Sequence, residues 1–168
     1  MKGRQIMNNN DRLTRLRYAL DIKDDDMLTI FSLGGLTVSK DELLEFLDKL
    51  PKDDKLADNE YTRELSDEAF ERFLNGLITS QRGAKDGASE PKLELNAGNA
   101  NNLLLKKVKI ALKLTSDDML DILDQAGVEI SNSELSAVLR KEGHRNYKPC
   151  GDRYVRNFLK GLAIDFRR

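Results

Sequence analysis

Asn9-Asn10-Asp11-Arg12-Leu13-Thr14-Arg15-Leu16-Arg17-Tyr18-Ala19-Leu20-Asp21 returns 92 residues later as Asn101-Asn102-Leu103-Leu104-Leu105-Lys106-Lys107-Val108-Lys109-Ile110-Ala111-Leu112-Lys113. The same shift lays residues 9–47 on 101–139 without a gap, so that Asp25-Asp26-Met27-Leu28 meets Asp117-Asp118-Met119-Leu120 and Gly35 meets Gly127. A shift of 85 then matches Asp67, Phe73-Leu74 and Gly76-Leu77 with Asp152, Phe158-Leu159 and Gly161-Leu162. Self-similarity of this length means two copies of one small module, packed about a pseudo-twofold axis. The chain divides into a tail (1–8), a first repeat (9–82), a linker (83–100) and a second repeat (101–168). Each copy is near the lower limit of what folds alone, so the copies are expected to share a core.

Each repeat reads as four helices, which makes the fold class all-α. The first covers about 10–21 and 102–113: Leu13, Leu16, Ala19 and Leu20, then Leu105, Val108, Ala111 and Leu112, recur at helical spacing. Arg12, Arg15 and Arg17 in one copy, and Lys106, Lys107, Lys109 and Lys113 in the other, are assigned to the remaining faces. The second helix covers 25–34 and 117–126, with Asp24 or Ser116 at the expected N-cap and Gly35 or Gly127 at the positive-φ position after its end. The third opens on a capping box, Ser39 with Glu42 and Ser131 with Glu134. Its inward stripe is Leu43, Phe46, Leu47 and Leu50 in one copy, and Leu135, Val138 and Leu139 in the other. The fourth covers 67–81 and 152–166 and carries a mid-helix glycine in both copies, Gly76 and Gly161. Glycine there costs about 1 kcal/mol against alanine, so keeping it twice points to a close helix–helix approach, with the interface between repeats as one place for it. Retention by chance since the duplication is the plainer explanation.

The third and fourth helices are joined by Asp48–Ser66 in the first copy and by Arg140–Gly151, seven residues shorter, in the second. The linker's Gly, Ala, Ser, Asn and Pro91 read as flexible, with Leu93-Glu94-Leu95 able to dock on a repeat.

The formal net charge of −1 conceals a polarity. Residues 9–82 carry 11 Lys and Arg against 17 Asp and Glu, a net of −6, and residues 101–168 carry 13 against 9, a net of +4. The polarity fits drift on two solvated surfaces, a basic repeat facing an anionic partner, or attraction between acidic and basic repeats, including head-to-tail self-association. One cysteine, Cys150, excludes an internal disulfide and favours a reducing compartment, with the cytoplasm as the expected location. No run approaches the roughly 18 apolar residues of a membrane span, and residues 1–10 lack the apolar stretch of a signal peptide. Met7 is a second methionine at which translation could start.

Catalytic residue types are scarce. His144 and Cys150, both single, share one connector, and a Cys/His nucleophile pair needs contact plus a third orienting group. Two ligands are also too few for zinc. Asp24-Asp25-Asp26 and Asp117-Asp118 lack the spacing of a calcium loop and are explained by helix N-termini. No phosphate-binding glycine loop or nucleophile elbow occurs. No catalytic residues, metal ligands or cofactor site are assigned.

The second helix, glycine turn and third helix of the basic copy trace a helix-turn-helix outline, Ile122 through Ser131. Asn132, Ser133 and Ser136 would face outward, and the connector adds Arg140, Lys141, His144, Arg145 and Lys148 with the aromatic Tyr147. Those five basic side chains are the candidate contacts for phosphates or another anion. The acidic copy offers Lys40, Asp41, Glu45 and Asp48 at equivalent places, which phosphates would repel. A symmetric two-site DNA reader is therefore not expected.

Leu16-Arg17-Tyr18-Ala19-Leu20-Asp21, Phe73-Leu74-Asn75-Gly76-Leu77-Ile78, Asn101-Asn102 with Leu105-Lys106-Lys107, His144-Arg145-Asn146-Tyr147 through Cys150-Gly151-Asp152, and Phe158-Leu159-Lys160-Gly161-Leu162-Ala163 together resemble the bacterial YehS-like family, a duplicated helical domain of unknown function. The resemblance spans nearly the whole chain after Met7. It implies a small all-helical cytosolic tandem repeat and no reaction, cofactor or site residue. The expectation is an uncharacterised cytosolic tandem-repeat protein serving as a non-enzymatic protein-interaction or regulatory module, with a protein partner or self-association. The alternative is nucleic-acid binding through the basic second repeat. No membrane, metal or cofactor enters either reading.

Overall fold

The computed structural model describes residues 5–84 and 91–167. Its helices are α1 (Asn9–Leu20), α2 (Asp24–Leu33), α3 (Lys40–Leu47), α4 (Asp67–Arg82), α5 (Ala100–Ala111), α6 (Ser116–Gln125), α7 (Asn132–Leu139) and α8 (Asp152–Phe166). Among the described residues the only strand-like pairing is an antiparallel bridge between Lys49 and Tyr61, in the first connector. The fold is all-α, and each repeat supplies four helices.

The helix bounds fall within a residue or two of those the sequence predicts. Gly35 and Gly127 do take positive φ, at 92° and 83°. Asp21 and Lys113, equivalent residues after the first helices, share a left-handed conformation at 52° and 56°. The caps of α2 and α6 fall one residue earlier than expected, on Lys23 and Thr115, because Asp24 and Ser116 are already helical. Thr115 forms a full capping box with Asp118, whereas Lys23 has no side-chain oxygen to offer. Ser39 and Glu42 form the expected reciprocal box, but at α7 only Ser131 accepts from the amide of Glu134. Leu50 is not inward: α3 has ended by Leu47, and Leu50 is 39% exposed.

Arg12 departs furthest from the sequence expectation. It is not on a solvated face but only 6% exposed, while its counterpart Leu104 is wholly buried. Lys107 is also largely covered, and its ammonium lies 3.7 Å from the buried carboxylate of Glu71.

Packing is reciprocal between the repeats. α4 lies on α2 of its own repeat and on α5 of the other; α8 lies on α6 of its own and on α1 of the other. Within a repeat the first and fourth helices touch little. Leu13, Leu16, Phe31, Phe70 and Phe73 therefore belong to the same buried cluster as Leu105, Val108, Met119, Phe158 and Leu159. The two ends of this exchange carry equivalent bonds. Arg82 donates to the carbonyl of Ile110 at 3.2 Å, and Arg167 to that of Tyr18 at 3.0 Å. These are matching residues of the two copies, reaching the carboxyl ends of each other's first helices, where cations are favoured.

The linker approaches the same interface. Leu95 is buried, and the Glu71 carboxylate accepts from the amides of Glu94 and Leu95, both at 2.7 Å. Docking through Leu93-Glu94-Leu95 is thus realised; residues 85–90 of the linker lie outside the described residues.

Gly76 and Gly161 mark a close approach, but inside each repeat. A Cβ on Gly76 would stand 1.8 Å from the carbonyl oxygen of Ile30 on α2, and one on Gly161 would stand 1.9 Å from that of Ile122 on α6. The interface between repeats is formed by other faces of α4 and α8. Alanine ordinarily gains about 1 kcal/mol over glycine within a helix. Here Gly76→Ala and Gly161→Ala are expected to reverse that sign and destabilise by about 2 kcal/mol or more, since backbone must move apart. Urea unfolding followed by circular dichroism checks it, and a stabilised variant would refute the close approach.

Candidate functional site

The asparagine pair that opens each repeat is a clamp. Asn10 donates to the carbonyls of Phe46 at 2.9 Å and Arg63 at 2.8 Å, and accepts from the amide of Leu65 at 2.9 Å. Asn102 does the same with Val138, Lys148 and Cys150, each at 2.9 Å. Asn9 donates to Leu65 O and to the Asp67 carboxylate, and Asn101 donates to Cys150 O and to Asp152. Both connectors are therefore pinned at equivalent points, and the extra length of the first is carried between them. A side-chain amide suits this task because it offers two donors and an acceptor to buried backbone groups.

The two clamps meet where the repeats meet. Arg12 lies between them: its Nε donates to Asn101 Oδ1 at 2.8 Å, one terminal nitrogen donates to Asn9 Oδ1 at 2.8 Å, and the other to Met7 O at 3.2 Å. One guanidinium thus joins equivalent atoms of both repeats. Burial lowers its pKa, while Asp152, Asp11 and Asp67 act the other way. The cation is satisfied by these bonds and nearby carboxylates rather than by water.

Residues 5–8 are strapped across this centre. Met7 is buried, and its amide donates to Asp152 Oδ2 at 3.0 Å. The longer first connector holds the strap: Gln5 donates to Asn59 Oδ1, Ile6 N to Asp58 Oδ1, and Asn8 Nδ2 to Asn59 O. Asp11 ties the connector down by accepting from the Tyr61 hydroxyl at 2.7 Å and from Asn59 at 2.8 Å.

Around the strap runs an open cleft of about 940 Å³, lined from both repeats and the linker. Its lining carries five carboxylates (Asp58, Glu60, Glu64, Asp67 and Asp152) and one cation, Arg12, already engaged on three sides. Its tyrosine and its cysteine keep their protons. Burial, then the hydrogen bond to Asp11, raises the Tyr61 phenol well above its ordinary range. Burial and Asp152 push the Cys150 thiol up to about 12, against a lowering by Arg12. Such a thiol is a poor nucleophile at neutral pH.

The basic set from the sequence is exposed. Arg140, Lys141, His144, Arg145 and Lys148 all face solvent, and none is ion-paired among the described residues. Arg140 and Lys141 come together beside Lys106, whereas His144, Arg145 and Lys148 stand on the turn beyond. His144 Nδ1 accepts from the amide of Asn146, a turn-forming role, while Cys150 is buried. Among the described residues no three His, Cys, Asp or Glu side chains are grouped to hold a metal ion. No described helix is long and apolar enough to cross a membrane.

A family model described as a protein of unknown function (DUF1456) matches residues 9–83 and again 101–168. The chain belongs to that family. It is 36% identical over 157 residues to the uncharacterised protein YehS of Escherichia coli (strain K12), covering 94% of this chain and 95% of that relative. No solved structure matches.

The state of Cys150 is open to direct measurement. Iodoacetamide at neutral pH is expected to modify the native protein only as fast as it opens, and much faster in denaturant. Because folding raises the thiol's pKa from 9.0 to about 12, its share of stability is fully present below pH 9.0 and is lost as pH rises towards 12. Rapid native modification at neutral pH would contradict the burial.

Proposed function

We propose that this protein is a non-enzymatic interaction module whose inter-repeat cleft receives a basic segment of a partner protein. The carrying observation is the cleft's five carboxylates against a single cation consumed within the fold. Glu60 and Glu64 are exposed on its rim, free to meet lysine or arginine. The directions of the Tyr61 and Cys150 shifts support a binding role over chemistry, because both groups keep their protons. A single reduced cysteine agrees with work in the cytoplasm.

Fluorescence anisotropy with a labelled oligolysine peptide tests the reading. Binding is expected at low salt and is expected to weaken by roughly three- to tenfold in Glu60→Gln/Glu64→Gln. Asp121→Asn/Asp124→Asn, the same charge change on α6, should leave it unaltered. Equal weakening in both variants, or no binding at low salt, would reject the cleft as the site.

A second reading is nucleic-acid binding through the basic copy, favoured by the exposure of Arg140, Lys141, His144, Arg145 and Lys148 without carboxylate partners. Labelled single- and double-stranded DNA and RNA at about 50 and 200 mM salt decide it. The reading expects salt-sensitive binding that disappears when Arg140, Lys141, Arg145 and Lys148 become alanine. Absence of binding at the lower salt would discard it.

A further inference from the structure

The duplication has produced one surface groove twice, with opposite charge. In each repeat it lies between the first helix, the start of the second and the outer side of the third. In repeat one it is lined by Arg17, Asp24, Leu44, Glu45, Leu47 and Asp48 and has a volume of about 460 Å³. Shifting those residues by 92 gives Lys109, Ser116, Ser136, Ala137, Leu139 and Arg140, and all but Ala137 line a groove of about 370 Å³ in repeat two.

The frame is shared, but the charges are not. In the first groove Arg17 is consumed by an ion pair with Asp24 and Glu45 is paired with Arg63 at 2.8 Å, whereas the Asp48 carboxylate accepts from the Thr62 hydroxyl at 2.6 Å and is in no ion pair among the described residues. In the second, Lys106, Lys109 and Arg140 face no lining carboxylate and are in no ion pair among the described residues. The sharpest reversal is Asp48 against Arg140, at equivalent positions. Each groove also carries exposed apolar surface, Leu44 at 47% exposure in one and Ile110 at 40% in the other. Apolar surface rimmed by complementary charge marks an association surface. α3 and α7 are not packed on one another, so the grooves belong to separate faces of one molecule and do not meet within it.

We propose that the basic groove of repeat two on one molecule docks against the acidic groove of repeat one on a second copy of this chain. The occupant is a second copy because it presents, on a separate face, a groove of opposite charge. The contact is heterologous, acidic face to basic face, and forms chains unless its rotation closes a ring. The grooves are small, so the association is of the weak, salt-sensitive kind. The proposal does not rest on the cleft, whose lining shares no residue with either groove.

Sedimentation velocity on nucleic-acid-free protein at about 100 µM chain, at about 50 and 500 mM salt, tests it. Species above the monomer are expected at low salt and monomer at high salt. Asp48→Arg and Arg140→Asp, each alone, should weaken association by about tenfold or more, because like charges then face each other. An equimolar mixture of the two variants should associate again, and so should the double variant. Lys106→Glu/Lys109→Glu provides a second loss variant that leaves Asp48 and Arg140 untouched, and circular dichroism verifies that each variant folds. Monomer under all conditions, or assembly unaffected by the reversals, overturns the proposal. So does loss without recovery in the mixture and double variant.

Discussion

The first helix of each repeat leaves its inner face uncovered by its own fourth helix, and the fourth helix of the other repeat covers it. α1 needs α8, and α5 needs α4. Leu13, Leu16, Leu105 and Val108 are wholly buried, and burial of such side chains contributes about 1.5–3 kcal/mol each. A single repeat would return part of that surface to water. The duplication is therefore a requirement of the fold rather than two tandem domains on a string. The arginines at the ends of α4 and α8 and the docked linker reinforce the same exchange.

Where the exchanged helices begin, polar groups replace apolar ones. Four asparagines hold the connectors by bonding their backbones, and one arginine spans equivalent atoms of the two copies. Symmetry is broken at that centre. A guanidinium stands on one side and Leu104 on the other, because a second arginine would bring like charges together in a buried place. The strap of residues 5–8 and the long first connector follow from the same asymmetry: they close over the side that carries Arg12 and Asp11. The cleft is what remains open around them.

Outside this frame the copies have diverged most in charge. Residues that hold backbone in place, such as Asn10 and Asn102 or Gly76 and Gly161, match across the repeats. Residues that face water in the twin grooves do not, as Asp48 and Arg140 show. That division is physical. A buried amide cannot be exchanged without orphaning three partners, whereas an exposed carboxylate can become an arginine at little cost to folding.

Much of this is legible in the sequence. The 92-residue shift, the helical spacing of Leu13, Leu16 and Ala19, the capping serines and the paired glycines each report a short-range rule, and short-range rules are written in consecutive residues. The Asn-Asn pair stood in the same register of both copies, which was the available signal for the clamp, but its partners lie some 36 to 58 residues away. Arg12 read as a solvated cation because its neighbours Arg15 and Arg17 are charged too. Only the approach of Asn101, 89 residues on, shows where it is. The sequence by itself determined that the chain is a duplicated all-helical protein with one acidic and one basic copy. The tertiary structure alone decided that the copies exchange helix partners, that Arg12 is interior, and that the acidic cleft and the twin grooves lie where they do. Those facts depend on which distant surfaces meet, and helical periodicity says which face is apolar without saying what will cover it.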